Sequence, residues 1–190
     1  MENVTQEQVI NAAKVANAHN FITEMENGYD YIKPDQIKWY TKEMTALKEK
    51  YGKSPNLLYM HIPIKEYEEV FALNDEGKFV PTGKAEILYG RMNESVGSSP
   101  FNSGLFEAMK QNEAQGIFSG HDHVNDWAAK YEGIWLVYNQ FGSYNAYGLG
   151  NYNGISLPEE EWQQGVTLTT IHNDSSIDLK QSFNSRYLKK

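Results

Sequence analysis

Two short apolar runs that each end in histidine constrain this chain more than anything else in it. Leu57-Leu58-Tyr59-Met60 runs into His61, and Gly116-Ile117-Phe118-Ser119 runs into Gly120-His121-Asp122-His123. Each run has the length and composition of a buried strand. Histidines just past two strands form the pattern of a metal site at the carboxyl ends of a sheet. In an extended segment, residues i and i+2 point the same way and lie about 6.6 Å apart. Imidazole nitrogens bind metals at about 2.0–2.1 Å, and paired metals sit about 3.5–4 Å apart. His121 and His123 can therefore each hold one metal of a pair, or both hold the same one. Gly120 removes a side chain at the approach. Asp122 points away or braces a neighbouring imidazole, as carboxylates beside metal-bound histidines often do.

The rest of the chain places these runs in an α/β order. Thr5 and Gln8 fit a capping box, and Val9, Ala12, Ala13 and Ala16 form an apolar stripe, which predicts a helix over 5–19. Asn27-Gly28 ends that region. A second helix is expected over 35–50, with Pro34 at its start, Ile37, Tyr40, Met44 and Leu47 at helical spacing, and Gly52 and Pro55 beyond its end. A strand over 56–60 follows, then a short helix over 64–71. Residues 73–103 show little periodicity and read as one long loop. Asn102 or Ser103 caps a helix running to Gln111. Strands are expected over 116–119 and 134–138, and 166–171 with 177–182 form a hairpin around Asn173-Asp174-Ser175-Ser176. The pattern is α/β with an antiparallel β finish, preceded by N-terminal helices.

Composition excludes several classes. There is no cysteine, so disulfides, thiolate zinc sites and thiol nucleophiles are all absent. The net charge is −8 and the pI about 5.1. An acidic chain gains no counterion release from a phosphate backbone, so nucleic acid is not an expected partner. A bound cation would still dominate its local field and attract a phosphate. No stretch approaches about 18 apolar residues, so no membrane span is expected. The polar start Met1–Gln8 carries no signal-peptide pattern. Short sequons at Asn3, Asn93 and Asn173 matter only if the chain is secreted.

The strings Ile32-Lys33-Pro34-Asp35-Gln36-Ile37-Lys38-Trp39, Tyr59-Met60-His61-Ile62-Pro63-Ile64-Lys65-Glu66-Tyr67, Asn102-Ser103-Gly104-Leu105-Phe106 and Gly116 to Asp126 occur in an order that resembles the C-terminal half of calcineurin-like metallophosphoesterases. The likeness extends to Gly142–Gly148 and is to the purple-acid-phosphatase-like branch. It implies a domain over 31–190 with the C-terminal half of a metallophosphoesterase-type α/β sandwich. It implies that His61 and His121 hold one metal and His123 the other. It also implies Fe, Mn or Zn acting on a phosphoester, with water activated for in-line attack. Imidazole suits several of these metals. Asp122, Asn125, Asp126, Glu66 and Tyr144 are further candidates around the metals or the substrate cleft, with Tyr147 beside Tyr144. For Asn125 and Asp126 a helix-cap role is the stronger expectation.

The family's Asp-x-His, Gly-Asp-x-x-Asp/Tyr and Gly-Asn-His-Asp/Glu motifs do not occur in these 190 residues. Gly150-Asn151-Tyr152-Asn153 lacks the histidine. Two cations close together need anionic ligands to offset their repulsion. The expectation is therefore one metal or none in this chain alone, and little hydrolysis unless another chain completes the site. A half-domain also exposes sheet edges, which favours self-association or a partner chain that completes the sheet. Residues 1–30 are similar to a helical segment of ABC-transporter nucleotide-binding domains, without their Leu-Ser-Gly-Gly-Gln signature. Gly52-Lys53-Ser54 mimics the end of a phosphate-binding loop, but Leu47 stands where glycine is required and Pro55 follows where a helix should run.

Overall fold

The computed structural model describes residues 11, 14, 32–139 and 165–183. The expected helix over 5–19 lies, apart from Asn11 and Lys14, outside the described residues. Helix α1 spans Pro34–Tyr51, with Pro34 at its first turn and Gln36 Oε1 accepting the Lys33 N–H at 2.8 Å. Gly52 closes it at φ 71°, where glycine carries no Cβ penalty. The stretch expected to be helical over 64–71 is a 3-10 helix, Lys65–Glu69. Helix α2 is Leu105–Gln111, and it starts beyond the two expected caps. Asn102 Oδ1 accepts the Gly104 N–H and Ser103 Oγ accepts the Leu105 N–H, so both residues serve the turn that leads in.

Five strands form the main sheet: β1 (Leu57–Tyr59), β4 (Ala85–Arg91), β5 (Gly116–Ser119), β6 (Asp126–Tyr131) and β7 (Ile134–Tyr138). Their order is β1-β5-β7-β6-β4. β1, β5 and β7 run parallel, whereas β6 and β4 are antiparallel to their neighbours. Two small antiparallel pairs flank it, β2 (Phe71–Leu73) with β3 (Phe79–Pro81), and β8 (Gly165–Ile171) with β9 (Ile177–Phe183). The last pair is the hairpin expected from the alternating pattern.

One face of the sheet carries Ile117, Leu136, Tyr138, Trp127 and Ala129, packed against Tyr40 of α1, Leu105, Phe106 and Met109 of α2, and Tyr67 and Phe71. Phe118, Ala128 and Val137 point to the other face, where Leu179 of β9 packs. β5 and β7 are thus buried on both sides, which is why they read as continuous apolar runs. The Tyr67 hydroxyl sits between strands. It donates toward the carbonyls of Ile117 (2.8 Å) and Val137 (3.1 Å) and accepts the Val137 N–H (3.1 Å). Asn56, buried at the start of β1, donates to the Tyr40 hydroxyl at 2.8 Å and the Asn112 carbonyl at 3.1 Å, fixing α1 and the end of α2 to the sheet.

The expectation of a single loop over 73–103 is corrected. That stretch contains the end of β2, all of β3 and all of β4. Strands of three residues leave no periodicity to read. β4 breaks its own alternation: the register shifts between Ile87 and Tyr89, so Ile87 faces the helices while Tyr89 packs on the opposite face. Gly90 is in the left-handed region at φ 89°, and a Cβ there would lie 1.8 Å from the Asp126 carbonyl oxygen. Gly90→Ala is therefore expected to destabilise the fold by at least the 1–3 kcal/mol typical of forced backbone strain, about 2 kcal/mol or more. Denaturant unfolding of the variant measures this directly.

Candidate metal half-site

The parallel pairing of β1 and β5 brings their carboxyl ends to one end of the sheet. Tyr59 is in register with Phe118, and their rings stack at 4.6 Å between centroids. The ladder continues past the strands. Met60 N–H donates to the Phe118 carbonyl at 2.9 Å, and Gly120 N–H donates to the His61 carbonyl at 3.2 Å. On the far side, Asn139 N–H donates to the Ser119 carbonyl at 2.7 Å. His61 and His121 are delivered from these tied ends.

Their rings meet edge to face, with centroids 5.0 Å apart and planes at 83°. His61 Nε2 and His121 Nδ1 are 3.2 Å apart. Two nitrogens bound at 2.0–2.1 Å to one tetrahedral ion lie about 3.3 Å apart. The pair is therefore spaced as two ligands of a single ion, and equally as one imidazole donating to the other. His61 is exposed and His121 half-buried. His123, also half-buried, is not part of the 3.2 Å pair. Among the described residues no group of three or more His, Cys, Asp or Glu is spaced to hold a metal ion.

Asp122 is buried and braces backbone rather than an imidazole. Its Oδ2 accepts the Gly97 N–H at 2.8 Å and the Tyr138 hydroxyl. Burial, and then the adjacent Asp122 carboxylate, raises the Tyr138 phenol above its usual range, so it stays a donor. The helix-cap expectation for Asn125 and Asp126 is corrected, because Asp126 opens strand β6. Asn125, with no exposed surface, clamps the preceding loop: its Oδ1 accepts the N–H groups of Asn93 (2.9 Å) and Glu94 (3.1 Å), and its Nδ2 donates to the Glu94 carbonyl. Asp126 Oδ1 accepts the Arg91 N–H, and Gln181 Nε2 donates to the Asp126 carbonyl at 3.0 Å, joining sheet and hairpin. Glu66 accepts from Asn102 Nδ2 at 2.7 Å and so ties the 3-10 helix to the turn before α2. Tyr144 and Tyr147 lie outside the described residues, as does Gly142–Gly148. Gly52-Lys53-Ser54 leads into strand β1 and not into a helix, unlike a phosphate-binding loop. The residue that the sequence did not single out is Gly97, whose backbone lies against His121.

The mixed α/β sheet, with histidines past two adjacent parallel strands, is consistent with part of a metallophosphoesterase-type α/β fold. About two thirds of the chain is also similar to curated proteins. The chain is 36% identical over 129 residues to the protein named "Probable inactive purple acid phosphatase 14" of Arabidopsis thaliana, covering 63% of this chain and 29% of that one. It is 32% identical over 130 residues to "Probable inactive purple acid phosphatase 29" of the same plant, covering 64% and 30%. It is 28% identical over 135 residues to "Probable inactive purple acid phosphatase 28", covering 70% and 31%. About two thirds of the chain is thus a purple-acid-phosphatase-like segment. The matched part spans about 30% of the length of these relatives. No family model matches the chain, and no solved structure matches it significantly.

Proposed function

We propose that this chain is the histidine-bearing part of a calcineurin-like metal-dependent phosphoester hydrolase. His61 Nε2 and His121 Nδ1 hold one Fe, Mn or Zn ion, and His123 serves a second where a completing segment supplies carboxylates. The observation that carries this is the 3.2 Å separation of the two ring nitrogens at the carboxyl ends of adjacent parallel strands. A metal held there would supply Lewis-acid polarisation of a phosphoester and lower the pKa of water. The chain's own contribution is orientation, through backbone ties at His61 and Gly120.

The proposed partner is a strand added at β1. Among the described residues β1 is an edge of the five-stranded sheet, and Tyr59 on it is 67% exposed. An unpaired edge of this kind accepts another strand. A strand running parallel to β1 would end beside His61, where carboxylates are needed to balance the ions' charge. A segment carrying the three motifs that these 190 residues lack fits this better than a second copy, which brings only more histidines.

The test is hydrolysis of p-nitrophenyl phosphate with Mn, Fe or Zn. The chain alone is expected to give no turnover above the metal blank. Co-expression with a segment bearing the Asp-x-His, Gly-Asp-x-x-Asp/Tyr and Gly-Asn-His-Asp/Glu motifs is expected to give metal-dependent turnover that His121→Ala removes. Failure of every completing segment would defeat the hydrolase reading. A second reading, a non-catalytic remnant that keeps the fold, is favoured by the word "inactive" in the names of the three relatives. Under it, the completed protein stays silent whether or not it binds metal.

A further inference from the structure

We propose that Gly97 and Asp122 are positioning residues that hold the His121 imidazole with Nδ1 toward His61; this rests on reading those two histidines as a metal pair. The 93–99 segment is a strap laid across His121. A Cβ built on Gly97 would lie 2.6 Å from His121 Cδ2, 3.0 Å from His121 Nε2 and 2.7 Å from Asp122 Oδ1. Side chains do not approach that closely, so only glycine lets this backbone lie against the ring. The strap therefore covers the Nε2–Cδ2 edge of His121 and leaves the Nδ1 edge facing His61 Nε2.

The strap is held by the same turn that carries the histidines. Asp122, 6% exposed, receives the Gly97 N–H and is itself fixed by the buried Tyr138 hydroxyl. Asn125 fastens the strap's first residues, and Ser98 Oγ donates to Glu68 on the 3-10 helix. Residues 121–125 thus provide a candidate ligand and both clamps. A ring kept in one orientation binds metal without first losing rotational freedom, so loosening the strap weakens binding.

The experiment has two readouts on Gly97→Ala, Asp122→Ala, Asp122→Asn and the unaltered chain. The first is calorimetric titration with Zn2+. The second is the ring NMR spectrum of His121 in the metal-free protein, with side-chain couplings and NOEs to Gly97 and His61 that report ring orientation. Gly97→Ala and Asp122→Ala are expected to weaken Zn2+ binding about 10-fold or more, the range for residues that orient a metal ligand. Both are also expected to convert a single His121 ring orientation into an averaged one. Asp122→Asn keeps an acceptor for the Gly97 and Tyr138 donors and is expected to restore both readouts. Gly97→Ala keeps both the Asp122 and the Tyr138 side chains, so it tests the claim even if Asp122→Ala fails to fold. Unchanged Zn2+ affinity and an unchanged ring spectrum in Gly97→Ala would overturn the positioning role while leaving the metal pair standing. The expected spectral changes with no Zn2+ binding in any variant would do the reverse.

Discussion

Trp127→Ala is expected to cost about 3–5 kcal/mol of stability, the range for removing a buried large aromatic. Trp127 has no exposed surface, and its ring lies 5.2 Å from Tyr67, 5.4 Å from Phe71 and 5.2 Å from Tyr138 between centroids. Those partners come from the 3-10 helix, β2 and β7, so one truncation opens a cavity where three elements meet. For a chain of this size the loss corresponds to a drop in melting temperature on the order of 10 °C. Trp127→Phe is the informative comparison. It keeps an aromatic ring in the cluster and removes an indole N–H that has no hydrogen-bond partner among the described residues. An unpartnered buried donor is itself unfavourable, so its removal offsets part of the lost volume. The phenylalanine variant is expected to lose clearly less than the alanine variant. Equal, small losses of under about 1 kcal/mol in both would place the centre of the core elsewhere.

His121→Ala is expected to abolish measurable metal binding, a loss of more than about 100-fold, above the range for residues that merely orient a ligand. The physical reason is denticity. A site that offers two imidazole nitrogens 3.2 Å apart becomes a single exposed imidazole when either is removed. His61→Ala is expected to match it, and the double variant to be no worse than either alone. Residues that act as one unit are not additive. His172→Ala is the control. His172 is exposed on the β8–β9 hairpin and pairs with Asp178 at 2.8 Å, so its removal should leave metal affinity unchanged. Calorimetric titration of the four variants checks all of this, and equal weak affinity in every one would mark an ordinary histidine-bearing surface.

The sequence made the parallel part of the sheet legible and hid the antiparallel part. β5 and β7 follow from dense apolar runs bounded by glycine, and α1 from Pro34, Gly52 and its helical spacing. β6 was not legible, because Asp126-Trp127-Ala128-Ala129 starts with a buried carboxylate and continues with two alanines of low strand preference. What makes it a strand is its place between β4 and β7, together with a two-residue turn at Glu132 and Gly133, both at positive φ. Asn125 and Asp126 read as a helix cap for the same reason, since the strand behind them was not visible. His61 and His121 were legible because each follows an apolar run by one to two residues. Gly97 was not, because a glycine in a polar loop has no pattern, and only its distance to His121 gives it meaning.

The most direct measurement is zinc K-edge X-ray absorption of the chain loaded with one equivalent of Zn2+, compared with His61→Ala and His121→Ala. The expected result is two imidazole nitrogens at about 2.0–2.1 Å in the unaltered chain, with the remaining positions filled by water oxygen. Each variant should lose that two-nitrogen signature. An aquated-zinc spectrum that is the same in all three proteins would contradict the half-site.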